Sequence, residues 1–169
     1  MSNDTPGTAA AALPEVLAEI RQDFLDLGVK DRLQLLLEFS NELPELPARY
    51  ADHPDLLEQV VECQSPVYIF AEVEEPSAGA SPADSHVHLY ATAPREAPTT
   101  RGFASIVSQG LDGLTVAEAL GVPDDYPQTI GLVEAVSPLR IRGMTALLGR
   151  AKRQIRERVV PYEAAAKAS

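Results

Sequence analysis

The stretch PVYIFAEVEEPSAGASPADSHVHLYATA, residues 66–93, predicts two strands joined by a loop, and this hairpin decides the fold class. Apolar residues partly alternate with other residues in its first part, and Val87, Leu89 and Ala91 share one face in its last part. Such alternation is typical of strands that bury one face. The middle, residues 76–85, is rich in proline, serine and small residues, which is typical of a turn. The stretch therefore predicts a small antiparallel sheet.

Helical patterns lie on both sides of this hairpin. Before it, apolar residues three and four apart begin at Leu13, and Asp31 is placed to cap a second helix, which predicts a helical hairpin. After it, Thr115 and Ser137 are expected helix caps, and Pro161 is expected to end the last helix. Helices, a small antiparallel sheet and further helices packed on one face constitute the α+β class.

The length and composition predict one domain with a packed core. A chain of 169 residues with 45% hydrophobic residues is below the size at which cores divide. Residues 1–12 are small and polar and predict a flexible tail, residues 13–160 form the expected domain, and residues 161–169 are expected to fray.

The charge and the termini restrict the partners and the location. With 14 basic and 25 acidic residues the net charge is -11, which argues against nucleic acid or an anionic membrane and permits docking on a basic protein surface. The N-terminus lacks the basic start and long apolar run of a secretory signal, and no apolar run reaches the ~18 residues of a membrane span. We therefore expect a cytoplasmic protein.

The histidines support two further hypotheses, a metal site and a cysteine–histidine nucleophile. His86 and His88 share a strand face and could bind a metal, but no third ligand is in view, so no metal site is predicted. His53 lies ten residues before Cys63, so a cysteine–histidine nucleophile is conceivable.

Cys63 is the one cysteine of the chain, and the residues around it support two interpretations. A free cysteine is most often a small buried hydrophobe, which would make it structural. Its place in a polar run at a junction between elements favours a reactive group instead. Because Glu62 disfavours a thiolate, activation would have to come from Arg101, Arg140, Arg142 or a partner protein.

Four short motifs follow one another along the chain: ECQSPVYIF at 62–70, TTRGFASIV at 99–107, LDGLTVAEAL at 111–120 and SPLRIRGMTALL at 137–148. In order and spacing they resemble the SufE family of cysteine desulfuration proteins, and the resemblance covers residues 15–158.

The resemblance implies a SufE/IscU-like fold and a role in sulfur transfer. Cys63 would take sulfur from the persulfide of a SufS-type cysteine desulfurase, stimulate that enzyme, and pass the sulfur to an iron–sulfur scaffold protein. Pyridoxal phosphate would belong to the desulfurase, so the chain itself is expected to need no cofactor, to be no enzyme, and to be a monomer or weak dimer. The matched positions expected to shape the loop or bind the partner are Glu62, Gln64, Ser65, Arg101, Gly102, Arg140 and Gly143.

Four residues depart from the family pattern. Glu62 stands where the family usually has glycine, Tyr68 where it has tryptophan, Leu114 where it has lysine, and Leu139 where it has serine. Because glycine adopts positive φ freely and glutamate does not, we expect Glu62 to restrict the loop. The competing hypothesis is a noncatalytic protein-interaction module in which Cys63 is structural.

Overall fold

The structure, a computed structural model, describes residues 13–168. The tail predicted at residues 1–12 lies outside these residues. The helices are α1 Glu15–Leu25, α2 Val29–Asn41, α3 Ala48–Ala51, α4 Pro98–Leu111, α5 Val116–Leu120, α6 Tyr126–Thr129 and α7 Pro138–Ala168. The strands are β1 Glu58–Gln59, β2 Tyr68–Val73 and β3 Val87–Thr92, and short 3-10 turns occupy Pro54–Leu56, Val61–Cys63 and Pro82–Asp84. Within this range no helix has both the length and the apolar character needed to cross a membrane.

The predicted hairpin is confirmed, and it carries a third strand. β2 pairs antiparallel with β3, with Ile69 opposite Ala91, and β1 pairs with the other edge of β2. β1 was missed because two residues are too few to show alternation, and the pairing depends on β2. Beyond this short strand the Ala71 N–H donates to Oε1 of Gln154 on α7 at 2.7 Å, so the otherwise unpaired edge of β2 is satisfied by a helix.

Helices cover one face of the sheet and form the core with it. α4 lies on β3 and α7 on β2, while α2 packs against α4 from outside. The inward residues of β3 and two of the three in β2 are buried, as are Phe103, Ile106 and Val107 on the predicted stripe of α4. The α+β class with a small antiparallel sheet is therefore confirmed, whereas Tyr50 of α3 packs on Phe70 and Tyr90 of the other face, so the helices are not confined to one face. The β1–β2 connection rests against α7.

The structure corrects the expected start of the second helix and the expected end of the last one, and it confirms the caps expected at Thr115 and Ser137. α2 begins at Val29, so Asp31 lies in the first turn instead of capping it, where its charge still favours the helix dipole. α7 continues through Pro161 to Ala168, because the alanine-rich segment that follows the proline has high helix propensity. Thr115 caps α5 in a reciprocal capping box, and the Oγ of Ser137 accepts from a backbone N–H in the first turn of α7 at 3.3 Å.

Candidate functional site

Cys63 ends the 3-10 turn between β1 and β2 and rests on α7. Its side chain is in the core, with the residue 8% exposed, and Sγ donates to the carbonyl oxygen of Gly143 at 3.4 Å. A Cβ atom at Gly143 would lie 3.1 Å from Cys63 Cα and 3.3 Å from Sγ. Gly143 therefore lets residues 61–66, the cysteine loop, approach the helix backbone closely.

The backbone after Cys63 turns sharply into β2. Gln64 has φ of 54°, the one left-handed non-glycine residue in the part of the chain that the structure describes. The N–H of Ser65 donates to the Cys63 carbonyl at 2.6 Å, and that of Val67 donates to the Ser65 carbonyl at 2.7 Å. A left-handed residue with a side chain costs about 1–2 kcal/mol, and such strain is common in functional loops.

The positive φ thus falls at Gln64 and not at Glu62. Glu62 lies inside the 3-10 turn Val61–Cys63 with negative φ, a conformation that any residue adopts. A carboxylate at position 62 therefore meets no backbone strain in this conformation, and its effect on loop motion stays a prediction. The contact of Glu62 with α7 is made by its side chain.

The side chain of Glu62 forms an ion pair with Arg150 of α7. Nε and Nη2 of Arg150 donate to the two oxygens of Glu62 at 3.0 and 2.8 Å, and Nη1 donates to Glu58 at 2.7 Å. The hydrogen bonds from Arg150 lower the pKa of Glu62, which therefore stays ionised. Arg150 lies 88 residues from Glu62 in sequence and was not among the predicted site residues.

The thiol of Cys63 is held in its neutral form. Burial raises its pKa to about 11, the charge of Glu62 acts in the same direction, and the charge of Arg150 opposes them. The cation beside the thiol is thus Arg150, not one of the arginines predicted for that role. In this closed arrangement Cys63 is a poor nucleophile near neutral pH.

Arg101 and Gly102, at the start of α4, contact α2 and the end of β3. Arg101 donates to the carbonyl oxygens of Ser40 at 2.9 Å and Ala93 at 2.6 Å, joining the start of α4 to the ends of α2 and β3. A Cβ at Gly102 would lie 2.2 Å from the carbonyl oxygen of Leu36, so glycine permits α2 and α4 to touch. The role of both residues in binding a partner stays a prediction.

Arg140 lies close to the cysteine loop along α7. It is exposed, its Nη1 donates to Thr100 at 3.4 Å, and it shares a helix face with Gly143 because the two are three residues apart. Val61, two residues before Cys63, is 62% exposed, and Leu139 beside Arg140 is 44% exposed. An exposed valine therefore lies close to the thiol in sequence, and an exposed leucine and arginine lie close in sequence to Gly143, the residue that the thiol contacts.

The histidines lie elsewhere and make other contacts. His88 lies between Glu74 at 2.8 Å and Asp112 at 2.9 Å, and these carboxylates raise its pKa, while His86 contacts the carbonyl of Gly113 at 2.9 Å. Within residues 13–168 no group of three or more His, Cys, Asp or Glu is arranged to hold a metal ion. The hydrogen bond of the Cys63 thiol goes to the Gly143 carbonyl and not to a histidine.

The buried thiol makes stability depend on pH in the alkaline range. An unfolded cysteine loses its proton at about pH 8.5, whereas folded Cys63 keeps it until about pH 11. Between these values the unfolded state binds fewer protons, so the free energy of unfolding falls as pH rises, by at most about 1.4 kcal/mol per pH unit. We expect urea unfolding at increasing pH to show this fall in the wild type and a shallower one in Cys63→Ala. Parallel curves for the two proteins would contradict the raised pKa.

Together, the fold and the site define a class: a small α+β protein that shelters a single thiol on a strand connection against a long helix. The family model for SufE, described as an Fe-S metabolism associated domain, matches residues 18–155. The chain belongs to the SufE family, which confirms the resemblance carried by the four motifs.

Relatives and a solved structure agree with this assignment. Uncharacterized SufE-like proteins from two strains of Mycobacterium tuberculosis, CDC 1551 / Oshkosh and ATCC 25618 / H37Rv, are each 47% identical over 150 residues, covering 89% of this chain and 98% of theirs. The solution structure of a hypothetical protein from Thermus thermophilus is 34% identical with a TM-score of 0.72, covering 88% of this chain and 98% of that one. Family membership connects the chain to Fe-S metabolism and implies interaction with a cysteine desulfurase.

Proposed function

We propose that this protein accepts sulfur on Cys63 from a pyridoxal-phosphate-dependent cysteine desulfurase and delivers it to an iron–sulfur scaffold protein in the cytoplasm. The observation that carries the proposal is the position of Cys63. The one thiol of the chain lies in the family's cysteine motif, on a connection sheltered by Gly143 of another family motif. The protein is then a sulfur-transfer partner and activator, and pyridoxal phosphate belongs to the desulfurase.

The proposed chemistry needs a thiolate and no metal. The Cys63 thiolate attacks the terminal sulfur of the donor's persulfide, a new S–S bond forms on Cys63, and the donor's S–S bond breaks as its cysteine thiolate leaves with the electron pair. The proton of Cys63 leaves before the attack. Because the chain has 1 cysteine, the new persulfide cannot be resolved into an internal disulfide and survives for delivery.

The geometry requires the loop to open before this reaction. A thiol that is 8% exposed cannot reach a partner's persulfide, and its raised pKa of about 11 keeps it protonated. Exposure to water removes the burial that raises the pKa, which returns it toward the ordinary value of about 8.5. Shelter in the resting state protects the thiol from oxidation, and opening supplies the nucleophile.

Stimulation of the desulfurase tests the proposal. Wild-type protein is expected to accelerate sulfide release by a cognate desulfurase with L-cysteine as substrate, and Cys63→Ser is expected to remove the acceleration completely, because serine cannot accept the sulfur. Ser77→Ala, which keeps the thiol and changes an exposed side chain in the loop between β2 and β3, serves as the control and is expected to stimulate. If Cys63→Ser stimulates as well as the wild type, the acceptor role is wrong.

A second candidate function is a noncatalytic interaction module with a structural cysteine. It is favoured by the burial of Cys63 in the core cluster and by its hydrogen bond to Gly143, both of which a structural residue would show. The two functions differ in the effect of Cys63→Ala. A module would still bind and stimulate its partner after this substitution, whereas a sulfur acceptor would bind the partner and fail to stimulate it.

A further inference from the structure

The cysteine loop is joined to the sheet at its base by a backbone hydrogen bond. The N–H of Val60 donates to the carbonyl of Val67 at 2.8 Å, and both residues are fully buried, so they close the loop at the sheet. Residues 61–66 between them carry the exposed Val61 and the left-handed Gln64. This segment can therefore leave α7 without breaking the pairing of β1 with β2.

The strongest polar contact between the loop and α7 is the ion pair of Glu62 with Arg150. The other polar contact, from Cys63 Sγ to the Gly143 carbonyl, is 3.4 Å long and involves a weak donor, whereas Arg150 grips both carboxylate oxygens at 3.0 and 2.8 Å. Two parallel bonds from a guanidinium to a carboxylate are stronger and more directional than a single bond. Glu62 directly precedes Cys63, so a fixed Glu62 side chain fixes the position of the thiol.

Arg150 has a second carboxylate partner besides Glu62. Its Nη1 donates to Glu58 at 2.7 Å, and Glu58 is also bound by Arg153 and Gln154 of the same helix. Glu58 belongs to β1 and therefore lies outside the loop that the Val60–Val67 hydrogen bond closes. When the loop opens, Glu62 moves with Cys63 while Arg150 remains on α7 beside Glu58.

We propose that the Glu62–Arg150 ion pair is a latch that holds the cysteine loop closed, and that a partner opens it by offering Glu62 a cationic side chain in place of Arg150. Arg150 is then a positioning residue for Cys63. The side chains of Arg150 and Glu62 are 26% and 34% exposed, so an incoming cation can reach the carboxylate. The net charge of -11 favours approach by such a basic surface. The use of the latch in sulfur transfer rests on the proposed function, but the latch itself is a property of the free protein.

Alkylation of Cys63 by iodoacetamide, a neutral reagent, tests the latch without any desulfurase. In Arg150→Gln the latch predicts labelling on the order of tenfold faster than in the wild type, since a bidentate ion pair is lost. If the substitution acted only through the lost charge, labelling would be slower than in the wild type. The reason is that Arg150 lowers the pKa of the thiol, and its removal would leave less thiolate to react. The direction of the change therefore separates opening of the loop from electrostatics.

Two matched variants complete the experiment. Arg153→Gln removes the same charge from the same helix, with contacts to Glu58 and Glu157 but none to Glu62, and is expected to label at the wild-type rate. Arg150→Lys keeps the charge but loses the two parallel guanidinium hydrogen bonds, and is expected to label faster than the wild type. This variant also tests the latch if Arg150→Gln does not fold. Salt is expected to accelerate labelling of the wild type and to leave Arg150→Gln unchanged.

Labelling of Arg150→Gln or Arg150→Lys at or below the wild-type rate would overturn the latch. This result is distinguishable from failure of the proposed function. A latch without sulfur transfer gives faster labelling of the variants and no sulfur on wild-type Cys63, whereas sulfur transfer without a latch gives sulfur on Cys63 and unchanged labelling.

Discussion

Gly102→Ala is expected to lower the free energy of unfolding by about 3 kcal/mol, because the added methyl group has no room between α2 and α4. The added Cβ would lie 2.2 Å from the carbonyl oxygen of Leu36 and 2.9 Å from its Cδ1. Leu36 is fully buried and its carbonyl belongs to the backbone of α2, so neither can move aside without separating α2 from α4.

Gly149→Ala is the matched control for this prediction. Gly149 is also a helical glycine, but no atom lies within 4 Å of the position that a Cβ would take there. Alanine is therefore expected to stabilise the protein by about 0.5–1 kcal/mol through its higher helix propensity. Urea unfolding of both variants checks the pair. Equal stability of Gly102→Ala and Gly149→Ala would contradict the close contact of α2 with α4.

Local patterns were sufficient to predict most of the fold. The alternation in β2 and β3 predicted their buried faces, because a strand against a core exposes every second residue. The capping box at Thr115 is also local, since both partners lie within one helical turn. The extension of α7 through Pro161 was missed, because the effect of a proline depends on the residues that follow it as well as on its missing N–H.

The candidate site was predictable in its centre and not in its surroundings. The motif placed Cys63 at a junction between elements, and the structure has it there. Its contacts come from α7, and no local pattern indicates which of the several arginines of that helix meets Glu62. Arg101 was expected near the thiol, but its guanidinium is bound to the carbonyls of Ser40 and Ala93. Such long-range pairs follow from packing and not from spacing.

Cys63→Ser is expected to have the largest functional effect, a complete loss of sulfur acceptance. The substitution is close in shape but replaces the sulfur that forms the S–S bond of the persulfide, and 1 cysteine in the chain means that no second thiol can substitute for it. Arg150→Lys, which leaves the thiol in place, is expected to retain sulfur acceptance. The two variants thus separate the chemistry of Cys63 from the control of its exposure.

The most direct test of sulfur acceptance is mass spectrometry of the protein after incubation with a cognate cysteine desulfurase and L-cysteine, followed by localisation of the added mass. Wild-type protein is expected to gain one sulfur atom on Cys63, a reductant is expected to remove it, and Cys63→Ser is expected to gain none. An unmodified Cys63 in the presence of an active desulfurase that binds the protein would contradict the account.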